Sequence, residues 1–218
     1  MQRERARRAA IRRKKVRAWA LPGILLLAIA VGVVFAVATR KPAAPARAEP
    51  APVLGAATAP VVLAAYEDFQ CPSCGAFARQ VEPELIRRYI DTGKVRLEWR
   101  DYAWYGPESN WAANAARCAG DQGKFWEYHD YLFSHQAGQN RGAFAKSHLK
   151  DFGRAVGLDP AAFDACVDAD THVGAVRADM ERVRKLNLVG TPSFFVNGRQ
   201  VSASPQEVFA AIEAALAG

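Results

Sequence analysis

The sequence predicts an α/β domain in which two strand-and-helix halves are separated by a block of helices, the whole carried behind a single membrane-spanning helix. Three observations lead there. A basic head runs into twenty uncharged residues. Two apolar strand-like runs, Val61–Tyr66 and Ser193–Val196, lie far apart in the chain. The residues between them fall mostly into helical segments punctuated by Gly and Pro. A length of 218 residues allows one good core with a small appendage. With 50% hydrophobic and 23% charged residues the chain is not wholly disordered, and its 16 Gly and 12 Pro are too scattered for a collagen-like repeat. Four Cys are too sparse for a disulfide-dense scaffold but enough for one or two redox or metal pairs.

The net charge of +7 is unevenly placed. Residues 1–18 hold nine Lys and Arg against Glu4, and Arg40, Lys41 and Arg47 face only Glu49, so the first fifty residues carry +10 and the remainder −3. Between them Trp19–Ala38 has no charge, and a helix of that length crosses a bilayer core of about 30 Å. Basic residues concentrated ahead of the run place the N-terminus in the cytoplasm and the C-terminal domain outside it, in the cell membrane. The competing reading, a cleaved signal ending near Ala38 or Ala48, fits less well because the run exceeds a usual signal core, and it also exports the domain. Nucleic-acid binding by Arg3–Arg17 is a weaker account of basic residues that abut an apolar twenty-mer. Residues 39–60, with Pro42, Pro45, Pro50, Pro52 and Pro60 among alanines, read as a semi-rigid spacer; some fifteen extended residues reach roughly 45 Å.

The folded domain is expected over 61–218. Val61–Tyr66 reads as a buried strand feeding Glu67-Asp68-Phe69-Gln70 and then Cys71-Pro72-Ser73-Cys74; downstream, Phe77, Val81, Leu85, Ile86 and Tyr89 recur at helical spacing. The dithiol therefore lies at a strand-to-helix junction with Cys71 near the helix N-cap. Unpaired N–H groups and the positive end of the helix stabilise a thiolate there, and Pro72 suits the first turn. Cys74, one turn on, is placed to resolve a mixed disulfide. An inert staple and half of a zinc site are the alternatives. Zinc would need two more ligands, which no second Cys-x-x-Cys supplies, so no metal or cofactor is expected.

Tyr66–Cys74, followed by Val189-Gly190-Thr191-Pro192-Ser193-Phe194-Phe195-Val196-Asn197-Gly198, resembles the DsbA-like thiol:disulfide oxidoreductases of the thioredoxin superfamily. Arg117-Cys118-Ala119 and Gln122–Asp130 look like that family's helical insertion, expected here over about 105–188 of a thioredoxin-like fold. The resemblance implies that Cys71 attacks, that Cys74 resolves, and that Pro192 is cis beside the dithiol, with the Thr191 backbone pairing an extended substrate. A trans proline opening a strand is the plain alternative. Ser73 departs from the most oxidising relatives, which place His between the cysteines; a neutral hydroxyl implies a Cys71 pKa below that of a free thiol but a less oxidising couple. Glu67, at the strand end, is the candidate proton acceptor for Cys74, against a reading of Glu67 and Asp68 as solvated loop carboxylates.

Lys94–Tyr102 alternates as a second strand, followed by helical segments near 108–121, 124–136, 142–156, 160–169 and 172–187. Phe194–Val196, an Asn197-Gly198 hairpin, Gln200–Ser202 and a helix from Ser204 to Leu216 close the chain. Cys118 and Cys166 both fall in the insertion; in an oxidising compartment they are expected to be joined, with two buried free thiols or a second redox relay as alternatives. The aromatic cluster from Trp99 to Phe133 is expected mainly to cement the insertion onto the sheet, and the four His show no ligand spacing.

The functional expectation is a membrane-tethered enzyme that introduces disulfides into secreted or surface proteins through Cys71–Cys74. By the resemblance it is reoxidised by a quinone-linked membrane partner of the DsbB or vitamin-K-epoxide-reductase type. A reductase or isomerase of the same fold is the alternative enzyme. A surface binding or chaperone-like module stapled by 71–74 is the non-enzymatic one.

Overall fold

The computed structural model describes residues 49–218. The basic head, the apolar run and most of the spacer expected above lie outside the described residues. Among the described residues no helix is long and apolar enough to cross a membrane.

The chain runs β1 (Val53–Leu54), β2 (Val61–Glu67), α1 (Pro72–Gln80), α2 (Glu82–Leu85), a π-helical turn (Ile86–Ile90) and β3 (Val95–Asp101). It continues with α3 (Pro107–Gly120), α4 (Phe125–Ser134), α5 (Lys146–Ala155), α6 (Pro160–Asp168), α7 (Val173–Lys185), β4 (Ser193–Val196), β5 (Arg199–Val201) and α8 (Pro205–Ala217). One sheet has the order β1-β3-β2-β4-β5. β2 and β3 pair in parallel with Leu63 opposite Leu97, β2 and β4 pair antiparallel with Leu63 opposite Val196, and the two edge strands are antiparallel to their neighbours.

Val61, Leu63 and Ala65 of β2, with Val95 and Leu97 of β3, turn one sheet face onto Phe77, Leu85 and Tyr89 and onto Val208 and Ile212 of α8. The opposite face meets the insertion, where Tyr66, Tyr102 and Phe195 pack against Val183 and Leu188. Trp99 at the far end of β3 stacks on Phe69 with ring centroids 4.6 Å apart and leads into the insertion core of Phe125, Tyr128, Phe133 and Phe163. The aromatic cluster thus fastens the insertion to the sheet, apart from Trp104, which is 58% exposed.

Three expected bounds move. The stretch expected to be spacer contributes β1, and Trp99 N–H donates to the Pro52 carbonyl at 2.9 Å. An edge strand bonds on one side only, so nearby prolines do not prevent it. The helical spacing from Phe77 to Tyr89 is split after Gln80, with Pro83 in the first turn of α2, because proline cannot donate back into a continuous helix. The helix expected from 142 begins at Lys146, since Gly142 takes a φ of 89°. Ser204 caps α8 by accepting from Glu207 N–H, and Asp159 caps α6 in the same way through Ala162.

Candidate active site

β2 delivers Glu67 at its last position, and a tight turn follows in which Cys71 N–H donates to the Asp68 carbonyl at 2.9 Å. Cys71 is the N-cap of α1, in extended conformation (φ −75°, ψ 121°), with Pro72 at the first helical position. Its sulfur thus stands over the unpaired N–H groups of the helix. Gly75 N–H returns to the Cys71 carbonyl at 3.0 Å. Gln136, beyond the end of α4, donates from Nε2 to the carbonyls of Phe69 and Cys71 at 2.7 and 2.9 Å.

Both sulfurs are thiols in this structure and both residues are buried. Their environments push them apart. The Cys74 thiol donates to Cys71 and is the largest influence on it; burial opposes this, while the Thr191 side chain and the N–H groups of Cys74 and Ser73 add to it. The result lowers Cys71 from 9.0 to about 5. Cys74 moves the other way, held well above its ordinary value first by burial, then by its bond to Cys71 and by the charges of Glu67 and Cys71. Ser73 is exposed, and it acts on Cys71 through its backbone N–H.

The Thr191–Pro192 peptide is cis, and the Thr191 carbonyl lies 3.4 Å from Cys71 Sγ. β4 follows at once, so its pairing with β2 fixes Thr191 against the dithiol. Glu67 is 3% exposed, and its Oε2 has no partner. Burial pushes its carboxyl well above the usual range, and the charges of Glu82 and Cys71 add to the effect. The structure therefore brings Cys71, Cys74, Thr191, Pro192 and Glu67 together, and Glu67 and Asp68 are buried rather than solvated. Burial of these two could not be read from the sequence, because both sit at a strand end where either orientation is open.

A family model described as thioredoxin matches residues 47–214. The chain belongs to the thioredoxin family. Within it the likeness is to DsbA-type proteins. The crystal structure of oxidised BdbD from Bacillus subtilis superposes with a TM-score of 0.72 at 27% identity, covering 78% of this chain and 97% of that one. Disulfide bond formation protein D of Bacillus subtilis is 28% identical over 172 residues, covering 77% of this chain and 78% of that protein. The Na(+)/H(+) antiporter NhaA 1 of Salinispora arenicola is 37% identical over 172 residues. Those residues are 76% of this chain but 25% of the antiporter, so that likeness is to one part of a longer protein.

In this thioredoxin-family chain the remaining polar groups buttress the dithiol loop. Asp68 accepts from Gln70 N–H, the Ser109 hydroxyl, Trp104 N–H and Tyr105 N–H at 2.6–3.1 Å. Its carboxyl is raised by burial, with those four bonds pulling back. Gln70 joins the set, donating to Ser109 and accepting from Asn140 N–H. The Tyr105 phenol is raised by burial and then by the charge of Cys71, marking it as a neighbour of the reactive sulfur. Tyr105 and Gln136 were not legible as site residues: they come from other segments, and nothing in their spacing relates them to Cys71.

Cys118 and Cys166 form a disulfide with Cα atoms 5.9 Å apart, tying α3 to α6. His172 lies beside it, its ring nitrogens 2.7 Å from Glu49 and 2.8 Å from Asp121 carboxylate oxygens. Two groups among the described residues bring potential metal donors within 4.8 Å of one another: Cys118, Cys166 and His172, and Glu82, His129 and Asp130. In the first the two sulfurs are bonded to each other. The second offers one imidazole and two carboxylates from α2 and α4.

Proposed function

We propose that the protein is a membrane-tethered thiol:disulfide oxidoreductase that introduces disulfide bonds into proteins outside the cytoplasm. The observation that carries this reading is the asymmetry of the two sulfurs, with Cys71 lowered to about 5 at a helix N-terminus and Cys74 buried with its proton held. In the oxidised enzyme a substrate thiolate attacks Cys71 Sγ; the substrate–Cys71 bond forms and the Cys71–Cys74 bond breaks. Cys74 leaves and takes up a proton, which Glu67, the buried acid whose charge acts on that sulfur, is placed to supply. The substrate's second thiolate then attacks its own sulfur in the mixed disulfide and releases Cys71. A stable Cys71 thiolate is a good leaving group, so the exchange runs toward substrate oxidation, and two electrons remain on the enzyme dithiol.

Substrate has a place to lie. Ser73, Phe77, Val81, Thr191, Pro192 and Pro205 line a cavity of about 440 Å³ beside the dithiol. An extended segment entering it runs past the Thr191 backbone, as the family pattern expects, and apolar side chains suit its walls. Tethering through residues 19–38, with the N-terminus cytoplasmic, rests on the basic head and apolar run. A quinone-linked membrane reductase of the DsbB or vitamin-K-epoxide-reductase type is the proposed reoxidant, and a shared membrane would raise its local concentration.

The test uses the full-length chain in oxidised form with a reduced, unfolded protein substrate. Stoichiometric oxidation that Cys71→Ser abolishes, together with a reduction potential nearer the about −120 mV of a strong oxidant than the about −270 mV of thioredoxin, is expected. A potential near thioredoxin's would reassign the protein as a reductase. Failure to oxidise substrate with Cys71 intact would leave a binding module in which 71–74 is only a staple.

A further inference from the structure

Resolution of a Cys71 mixed disulfide requires Cys74, 0% exposed, to lose a proton, and substrate oxidation requires it to regain one. Glu67 can hold that proton but is itself 3% exposed, so it needs an outlet. Within electrostatic reach of Glu67 lies a set of titratable groups that the exchange chemistry does not otherwise use. Glu82, the first residue of α2, is 4% exposed, and His129 of α4 is 1% exposed. His129 Nε2 is 4.0 Å from Glu82 Oε2, and its Nδ1 is 2.8 Å from Oδ1 of Asp130, whose side chain is 76% exposed. A cavity of about 190 Å³, lined by Glu82, Asp130, Arg79 and Phe133, opens at the same place.

The surroundings of the imidazole are otherwise apolar. Phe69, Trp99, Phe125, Trp126 and Phe133 place their ring centroids 4.8–6.3 Å from it. An imidazole enclosed by five aromatic rings with one carboxylate at each nitrogen has no structural partner to satisfy except those two carboxylates. The charged and titratable groups facing this set are few. The charge of Cys71 and that of Glu82 act on Glu67, Glu67 acts on Cys74, and Asp130 and His129 act on Glu82. Arg79 turns its guanidinium to the Phe133 carbonyl. Burial raises the carboxyls of both Glu67 and Glu82, so each is suited to carry a proton at neutral pH.

We propose that Glu82, His129 and Asp130 form a proton conduit that connects Glu67 and the buried Cys74 thiol to solvent at the cavity lined by Glu82 and Asp130, apart from the substrate groove. The proposal rests on exchange through Cys71–Cys74 and adds a path for its proton. When Cys74 attacks a Cys71 mixed disulfide, the Cys71–Cys74 bond forms and the leaving thiolate departs on the groove side. Glu67 passes its own proton on to Glu82 and takes up the Cys74 proton in its place. Glu82 delivers a proton to His129 Nε2, and the Nδ1 proton passes to Asp130 and to water. Glu82 Oε2 stands 4.0 Å from Nε2, and Glu82 also lines the cavity from which a water can enter that gap. Substrate oxidation runs the same path inward.

The test is a rapid acid-quench measurement on the full-length reduced protein. Glutathione disulfide is added, free thiols are alkylated, and conversion of the Cys71–glutathione adduct to the Cys71–Cys74 disulfide is followed by mass from pH 5 to 9. Glu82→Gln and His129→Gln are expected to slow that step about tenfold or more at pH 7. They should also shift its pH profile upward and leave alkylation of Cys71 at its parental pKa. Formate, small enough for the cavity, should restore part of the rate to Glu82→Gln. Folded Glu82→Gln with the parental rate and pH profile overturns the conduit, and this variant decides the matter if His129→Gln does not fold. A parent protein that forms the adduct but never resolves it would instead overturn the exchange reading.

Discussion

Gln136 reaches across from the end of α4 to hold the main-chain carbonyl of Cys71, donating from Nε2 at 2.9 Å while also bonding the Phe69 carbonyl at 2.7 Å. The insertion thus supplies a hydrogen bond to the backbone of the reactive residue. Gly75 makes room for it, because a methyl group there would run into the Gln136 amide and the Arg79 guanidinium. Gln136→Ala removes this donor from the Phe69 carbonyl and leaves the Cys71 carbonyl with Gly75 N–H alone, and should cost about 1–3 kcal/mol, read by denaturant unfolding. Gly75→Ala should reproduce part of this loss. A variant pair with unchanged midpoints would show that the contact is not a support.

Cys74 is the strongest influence lowering Cys71. Cys74→Ala should therefore raise the Cys71 pKa from about 5 toward 9.0, followed by the pH dependence of iodoacetamide alkylation. Cys74→Ser, which keeps a donor, should raise it less. Equal values in both variants would mean that the helix N-terminus alone sets the thiolate.

Asp68→Ala removes the acceptor for four donors drawn from the dithiol turn and the Trp104–Ser109 segment. Several buried donors lose their partner at once, so a loss of about 3 kcal/mol or more is expected, measured as a fall in unfolding free energy. Near-parental stability would show that water replaces the carboxylate.

Asp179 is pushed up to about 6, by burial first and then by Asp101, against the pull of Arg117 and Arg100. A raised carboxyl pKa means that the folded state favours the protonated form. The associated stability is fully present below about 3.9, the ordinary Asp value, and is lost as pH rises through about 6. Unfolding free energy against pH should carry a component that declines across that window, and Asp179→Asn should flatten it. An identical slope in the variant would assign the component to other groups.

The Cys118–Cys166 disulfide joins positions 48 residues apart. Replacing both by Ala should cost about 4 kcal/mol, or roughly 8–16 °C in melting temperature for a domain of this size. A loss under about 1 kcal/mol would mean that the helices hold α3 against α6 without it.

Much of this domain was legible because its signals are local. Val61–Tyr66, the Cys-x-x-Cys at a helix start and the Thr191-Pro192 turn each declare themselves within ten residues, and the family resemblance orders them. The insertion's helices were legible from Gly and Pro punctuation. What was hidden depends on contacts between distant segments. β1 is two residues long and exists only because β3 offers it an edge. Glu82 and His129 have no shared motif and meet because α1, which leads directly into α2, packs against α4. Burial of Glu67 and Asp68 is set by the insertion that covers them, which neither residue's neighbours encode.

The hydrogen bond from Val62 N–H to the Asn197 side chain spans 135 positions, and Thr191 reaches Cys71 across 120. Contacts of that separation are costly to close and form late in folding. All four cysteines have therefore been synthesised before the strand that seats Thr191 exists. A nascent chain emerges with its dithiol uncovered, and the Thr191 contact with Cys71 is added only when the β4–β5 hairpin docks on β2, so the site is finished by a segment made long after its cysteines.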